Sequence, residues 1–160
     1  MTKHISHRLT YDAPLAEVSA MLGDAAFREE VCRRQGVLRQ TVTVTPGGEG
    51  REVVIDQVQP AAGIPSFAKK FVGDEINIVQ REIWTDASRG DVYVTIPGKP
   101  GDMSGTVRLD ESDGRTTETI ELDIKVGIPL VGGKIEGLIG EMLLKALRNE
   151  NETGRDYLSR

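Results

Sequence analysis

A chain of 160 residues with two histidines and one cysteine offers few places for chemistry, and spacing decides which side chains can cooperate. His4 and His7 lie where Ile5, His7, Leu9 and Tyr11 alternate with polar neighbours, the period-two pattern of a half-buried strand. Residues three apart on a strand face opposite ways, so the two imidazoles cannot grip one metal ion. With Cys32 as the single cysteine, and no H-x-x-x-H or C-x-x-C spacing, neither an internal disulfide nor a metal site is expected, and no cofactor is implied. Arg33 and Arg34 adjoin Cys32, but successive helical residues diverge and Glu29 and Glu30 offset the charge, so Cys32 reads as a small buried hydrophobe. GIPLVGGKIE, residues 127–136, follows a strand-like run and opens a helix, as a phosphate loop does. That loop needs G-x-x-x-x-G-K and then Ser or Thr; here Ile128 and Ile135 occupy the first and last of those positions, which rejects nucleotide binding.

The remaining candidates are polar residues in step with apolar ones. His7 and Tyr11 share parity with Ile5 and Leu9, and Gln80 and Glu82 share parity with Ile76, Ile78 and Trp84. If that register holds, Glu82 projects inward, where an unpaired charge is costly, and beside His7 it could act as acid or base. Val79 and Ile83 have the opposite parity, and a bulge between them would turn Gln80 and Glu82 to solvent. Both registers stay open on this pattern.

The elements that must position these groups are clearer. After the first strand, Pro14 opens a short helix carrying Leu15, Val18, Met21 and Leu22; Gly23 ends it and Asp24 caps a second. From Gly36 onward, strand-like runs alternate with turns rich in glycine and proline, and Ile120, Leu122, Ile124, Val126 and Ile128 give the cleanest alternation. Short turns imply antiparallel neighbours. Ile135, Leu138, Ile139, Met142, Ala146 and Leu147 then recur at helical spacing, and this apolar stripe needs a sheet face to cover it. The expected fold is α+β in one domain, residues 1–160: a curved antiparallel sheet of about seven strands around a long C-terminal helix, with two short helices after strand 1. A flat two-layer sandwich would cover the helix less well.

A net charge of −5 and a pI near 5.1, with positive charges interspersed, argue against nucleic acid as a partner. The amino terminus has no apolar signal-like core and no run is long enough to span a bilayer, so a cytoplasmic location is expected. One connector stands out. GIPSFAKKFVGDE, residues 63–75, holds two of the three phenylalanines, Phe67 and Phe71, where a polar link would serve. As one or two helical turns, Ile64, Phe67, Ala68 and Phe71 would form one face and Lys69 and Lys70 another.

YDAPLAEVSAML near the start and VGIPLVGGKIEGLI before the last helix resemble the strand-to-helix entry and the gripping-helix entry of the START-like (SRPBCC, helix-grip) superfamily. The whole also resembles an actinobacterial START-like family without an assigned function. The resemblance implies a cavity between sheet and terminal helix, often holding an apolar ligand. On that footing the leading expectation is a non-catalytic carrier or sensor for a small hydrophobic or amphipathic molecule: a lipid, isoprenoid or polyketide. Ile120, Leu122, Ile124 and Val126 would line one wall and Leu138, Ile139 and Met142 the helix side. Trp84, Tyr11 and Gln80 would add contacts, and Phe67 and Phe71 would cover the mouth. The phenylalanines could instead be satellite core, or with the lysines a transient membrane contact. Gly137 and Gly140 would make room for ligand, or allow close approach to the sheet or face water. Two other functions stay open: a cyclase- or aromatase-like enzyme using Glu82 and His7, and a protein-interaction module without a usable cavity. The oligomeric state is left open.

Overall fold

A computed structural model of the protein describes residues 2–160. β1 (Thr2–Tyr11) leads into α1 (Leu15–Leu22) and α2 (Ala25–Gln35). The α1 entry is fixed from outside the helix, because the Leu15 N–H donates to Glu111 at 2.6 Å. Asp24 caps α2 by accepting from the Ala26 N–H at 3.0 Å. Gly36 closes α2 in the left-handed region, φ 82°, where a side chain would be strained. Next come β2 (Arg39–Gly47), β3 (Gly50–Pro60), α3 (Ser66–Val72), β4 (Glu75–Trp84), β5 (Arg89–Thr95), β6 (Asp102–Ser112) and β7 (Arg115–Lys125). The chain ends in α4 (Gly132–Leu158), 27 residues long.

The strands form one open antiparallel sheet in the order β1-β7-β6-β5-β4-β3-β2. The first strand thus joins the last, and the sheet embraces α4, which packs chiefly on β1, β7, α1 and α2. This is the helix-grip architecture expected from the sequence. Leu9, Val18, Met21, Leu22, Phe27, Val53 and Ile124 are fully buried where helices and sheet meet. Each such side chain contributes roughly 1.5–3 kcal/mol by leaving water.

The possible bulge in β4 does not occur. Its ladder with β3 runs unbroken from Arg51 opposite Trp84 to Pro60 opposite Glu75, and its ladder with β5 is equally regular. Ile76, Gln80, Glu82 and Trp84 therefore share the inward face. Val79 and Ile83 are only half-buried on the other side.

α4 approaches the sheet closely in two places. A Cβ on Gly154 would lie 2.6 Å from the Tyr11 ring and 3.1 Å from the Met21 methyl, so only glycine fits there without displacement. A Cβ on Gly140 would touch Ile5 at 3.4 Å, whereas Gly137 has open space beside it.

Candidate functional site

Between α4, α3 and the middle of the sheet lies a cavity of about 480 Å³. β1 seats α4 at both Gly140 and Gly154, and β7 meets it at Gly140, while β3 to β6 stand off from its first half. Ile64, Ala68 and Phe71 close the cavity from the α3 side, and Leu138, Ile139 and Met142 line it from α4. The sheet supplies Ile76 and Ile78, with Val126 and Ile128 from the run into α4. Lys99 and Lys145 stand at its edge. Besides these two lysines, the polar side chains of the otherwise apolar wall are Gln35, Gln57, Gln59 and Gln80, which lead inward.

Those glutamines also line a second, smaller chamber of about 80 Å³, so the two spaces share a wall. The chamber is built on Arg28, a guanidinium only 2% exposed. Its Nε donates to the Leu22 carbonyl at 2.8 Å, Nη2 to Glu82 at 2.6 Å, and Nη1 to Glu82 at 3.0 Å and Glu150 at 3.1 Å. Glu82 also accepts from Gln80 Nε2 at 2.6 Å and Trp84 Nε1 at 2.9 Å. Arg51 stacks over the Trp84 ring, 4.9 Å from its centroid, which steadies that donor from outside. Both Glu82 oxygens are thus engaged by donors.

Glu118 is different. It is 2% exposed, lines the chamber, and among the described residues its Oε1 has no hydrogen-bond partner. The buried hydroxyl of Tyr11 stands beside Glu118, close enough to offset part of its shift, yet among them neither this hydroxyl nor Glu118 Oε1 has a hydrogen bond of good geometry. Burial, reinforced by the charge of Glu150, raises the Glu118 carboxyl well above the usual carboxylate range. Burial also raises Glu150, to about 7, although Arg28 pulls the other way. Burial disfavours the charge on Arg28, but Glu82 and Glu150 outweigh it and hold the guanidinium firmly protonated. Tyr11 is raised by burial and then by Glu118. Burial pushes the Cys32 thiol up to about 11, so this chamber-lining cysteine is a poor nucleophile.

The sequence candidates divide accordingly. Phe71, Val126, Leu138, Ile139 and Met142 line the large cavity, Ile120 and Leu122 the small chamber, and Gln80 both. Ile124 is fully buried in the core beside Gly140 and lines neither space. Phe67 packs with Val126, Ile135 and Ala68 under the Lys134 ammonium, outside the cavity lining. Trp84 and Tyr11 are buried behind the chamber as supports, and neither is on its wall. His7 shares the β1 face as expected, yet is absent from both linings and from the partners of Glu82. The expected pairing of Glu82 with His7 is therefore corrected: β1 and β4 are far apart in the sheet order, and Glu82 is held by Arg28, Gln80 and Trp84. Among the described residues, no group of three or more His, Cys, Asp or Glu has an arrangement that could hold a metal ion.

The sequence reading missed Arg28, Glu118 and Glu150, though each carries a positional signal. Glu118 has the parity of Ile120 and Leu122 on β7, and Glu150 follows Ala146 and Leu147 by one helical turn. Arg28, Val31, Cys32 and Gln35 form one stripe of α2.

Comparison with known proteins agrees with this architecture. The protein TTHA0849 of Thermus thermophilus superposes with a TM-score of 0.66 at 17% identity, covering 95% of this chain and 97% of that one. The Zhui aromatase/cyclase of Streptomyces sp. R1128 gives a TM-score of 0.58 at 18% identity, covering 98% and 90%. At such identities the likeness shows the fold alone, the helix-grip arrangement described above. In sequence, an uncharacterized protein of Mycobacterium tuberculosis H37Rv is 29% identical over 98 residues, a match covering 58% of this chain and 56% of that protein. The match spans only about half the length of that relative. The family described as "Protein of unknown function (DUF2505)" matches residues 6–158, and this chain belongs to that family.

Proposed function

We propose that the protein binds a small hydrophobic or amphipathic molecule of lipid, isoprenoid or polyketide type, as a carrier or sensor. The observation that carries this reading is the cavity of about 480 Å³ with an apolar wall and a polar inner end. Ligand sites are commonly clefts of roughly 300–1,000 Å³, lined mostly by apolar groups with a few placed polar ones. Here α3 acts as the cover, with Phe71 facing the ligand and Lys69 and Lys70 exposed on the outer side. Filling the cavity tests the reading. An apolar fluorescent probe such as N-phenyl-1-naphthylamine should bind the wild-type protein with enhanced emission, and Met142→Trp should abolish most of that signal while far-UV circular dichroism is unchanged. Equal binding by both proteins would place the probe elsewhere and remove the support.

A second reading, an enzyme of the aromatase/cyclase kind, draws on Glu118 rather than Glu82. A buried carboxyl with a raised pKa and a free oxygen can hold a proton for a bound carbonyl or hydroxyl, whereas Glu82 has no free oxygen to offer. On this reading Glu118→Gln abolishes turnover of a cyclisable substrate while binding survives, and undiminished turnover would refute it.

A further inference from the structure

The inner chamber holds more acid than base. α2 contributes Arg28 and Cys32 to its wall, β4 Glu82, β7 Glu118 and α4 Glu150. Tyr11 of β1 stands close enough to feel Glu118, and Arg51 of β3 close enough to feel Arg28 and Glu82. Among the described residues on that wall, Arg28 carries the only positive charge. Each of its three nitrogens already donates, to the Leu22 carbonyl, Glu82 or Glu150. Glu118 therefore faces the chamber with one oxygen unpartnered, beside a Glu150 that shares its only cation with Glu82.

Buried charge persists only when paired, so the chamber in this state limits its excess of negative charge by keeping the Glu118 carboxyl protonated. A cation entering from the large cavity would remove that need. We infer that the inner chamber receives the ammonium head of an amphipathic ligand, held by Glu118 and Glu150, while the apolar tail lies along Leu138, Ile139 and Phe71. This rests on the proposal that the large cavity holds an amphipathic molecule, and it names the chemistry of that molecule's polar end.

The balance of the step is simple. The head arrives as R–NH3+, the Glu118 carboxyl gives its proton to solvent, and N–H···O− bonds replace it. The chamber's net charge is unchanged, and one proton is released for each ligand bound. A hydroxyl head could satisfy the free oxygen, but it leaves the charge imbalance and the proton in place. A carboxylate head would add a fourth acid to three.

The test uses three probes that differ only in the head: n-decylamine, 1-decanol and decanoate, each below its micellar concentration. Each is titrated calorimetrically into the wild-type protein at pH 7.5, in two buffers of different ionisation enthalpy. The amine should bind about tenfold more tightly than the alcohol, the margin of a charge-assisted hydrogen bond over a neutral one. Decanoate should bind most weakly, and the amine alone should release a proton. Glu118→Gln should erase both the amine preference and the proton release while retaining the alcohol. The wild-type comparison stands even if that variant folds poorly. Alcohol binding as tight as amine binding, or amine binding without proton release, overturns the inference and leaves the cavity reading intact. Failure of all three probes to bind overturns both.

Discussion

Arg28 gathers the buried charges of three elements, and its removal would strand two of them. Buried ion pairs add little net stability over apolar packing, but breaking one costs about 3–5 kcal/mol because the abandoned charge stays in the interior. Arg28→Ala should lower stability by that order in urea unfolding, and a loss below about 1 kcal/mol would mean that water reaches Glu82. Glu150 supplies a pH-dependent counterpart. Its carboxyl titrates at about 7 in the folded protein against 4.5 as the ordinary value. Between those values the folded state binds more protons than the unfolded one, so this group's contribution is complete below about 4.5 and is lost as pH rises through about 7. Thermal melts of wild type against Glu150→Gln should show their Tm difference shifting between pH 5 and pH 8, with the wild type losing ground at the higher pH. A constant difference would show that Glu150 is not raised. These residues were hidden in the sequence for a physical reason. Arg and Glu on helices usually mark solvated faces, and α2 does carry such a pair, Glu30 with Arg34 at 2.9 Å. Arg28 is of the same type, and only its stripe with Val31 and Cys32 separates it from that surface set.

At the scale of elements, the β4 register was the open question, and the backbone ladder answers it. Parity placed Gln80 and Glu82 inward with Trp84, while the bulge alternative rested on Val79 and Ile83, which turn out to be half-buried residues on the sheet's outer face. The α3 connector was legible as an amphipathic turn of helix, because Ile64, Ala68 and Phe71 fall together on the cavity side. That Phe67 falls outside the lining was not legible, since it depends on how α3 rolls against Val126 and Ile135. The contact between α4 and β1 yields a sharp expectation. Gly154→Ala gains about 1 kcal/mol of helix propensity, but its methyl would overlap the buried Tyr11 ring at 2.6 Å. Overpacking of a rigid core costs about 1–3 kcal/mol, so the variant should melt below wild type. A higher Tm would mean that α4 shifts freely on the sheet.

For the whole molecule, strand parity and the apolar stripe of the terminal helix were enough to draw the architecture, because seven strands, most of them joined by short turns, have few ways to cover a 27-residue helix. The volume left between sheet and helix was not legible. It depends on α4 being drawn onto β1 and β7, where Gly140 and Gly154 permit close approach, while β3 to β6 stand away and leave about 480 Å³. Among the described residues no helix is long and apolar enough to cross a membrane. On the proposed function, a ligand sits in this volume inside the fold. Native mass spectrometry of freshly purified protein, followed by solvent extraction and mass analysis of what is released, tests it most directly. A discrete extra mass that extraction recovers as an amphipathic molecule is the predicted result. A bare protein that also takes up nothing from a panel of lipids, isoprenoids and polyketides would contradict the account.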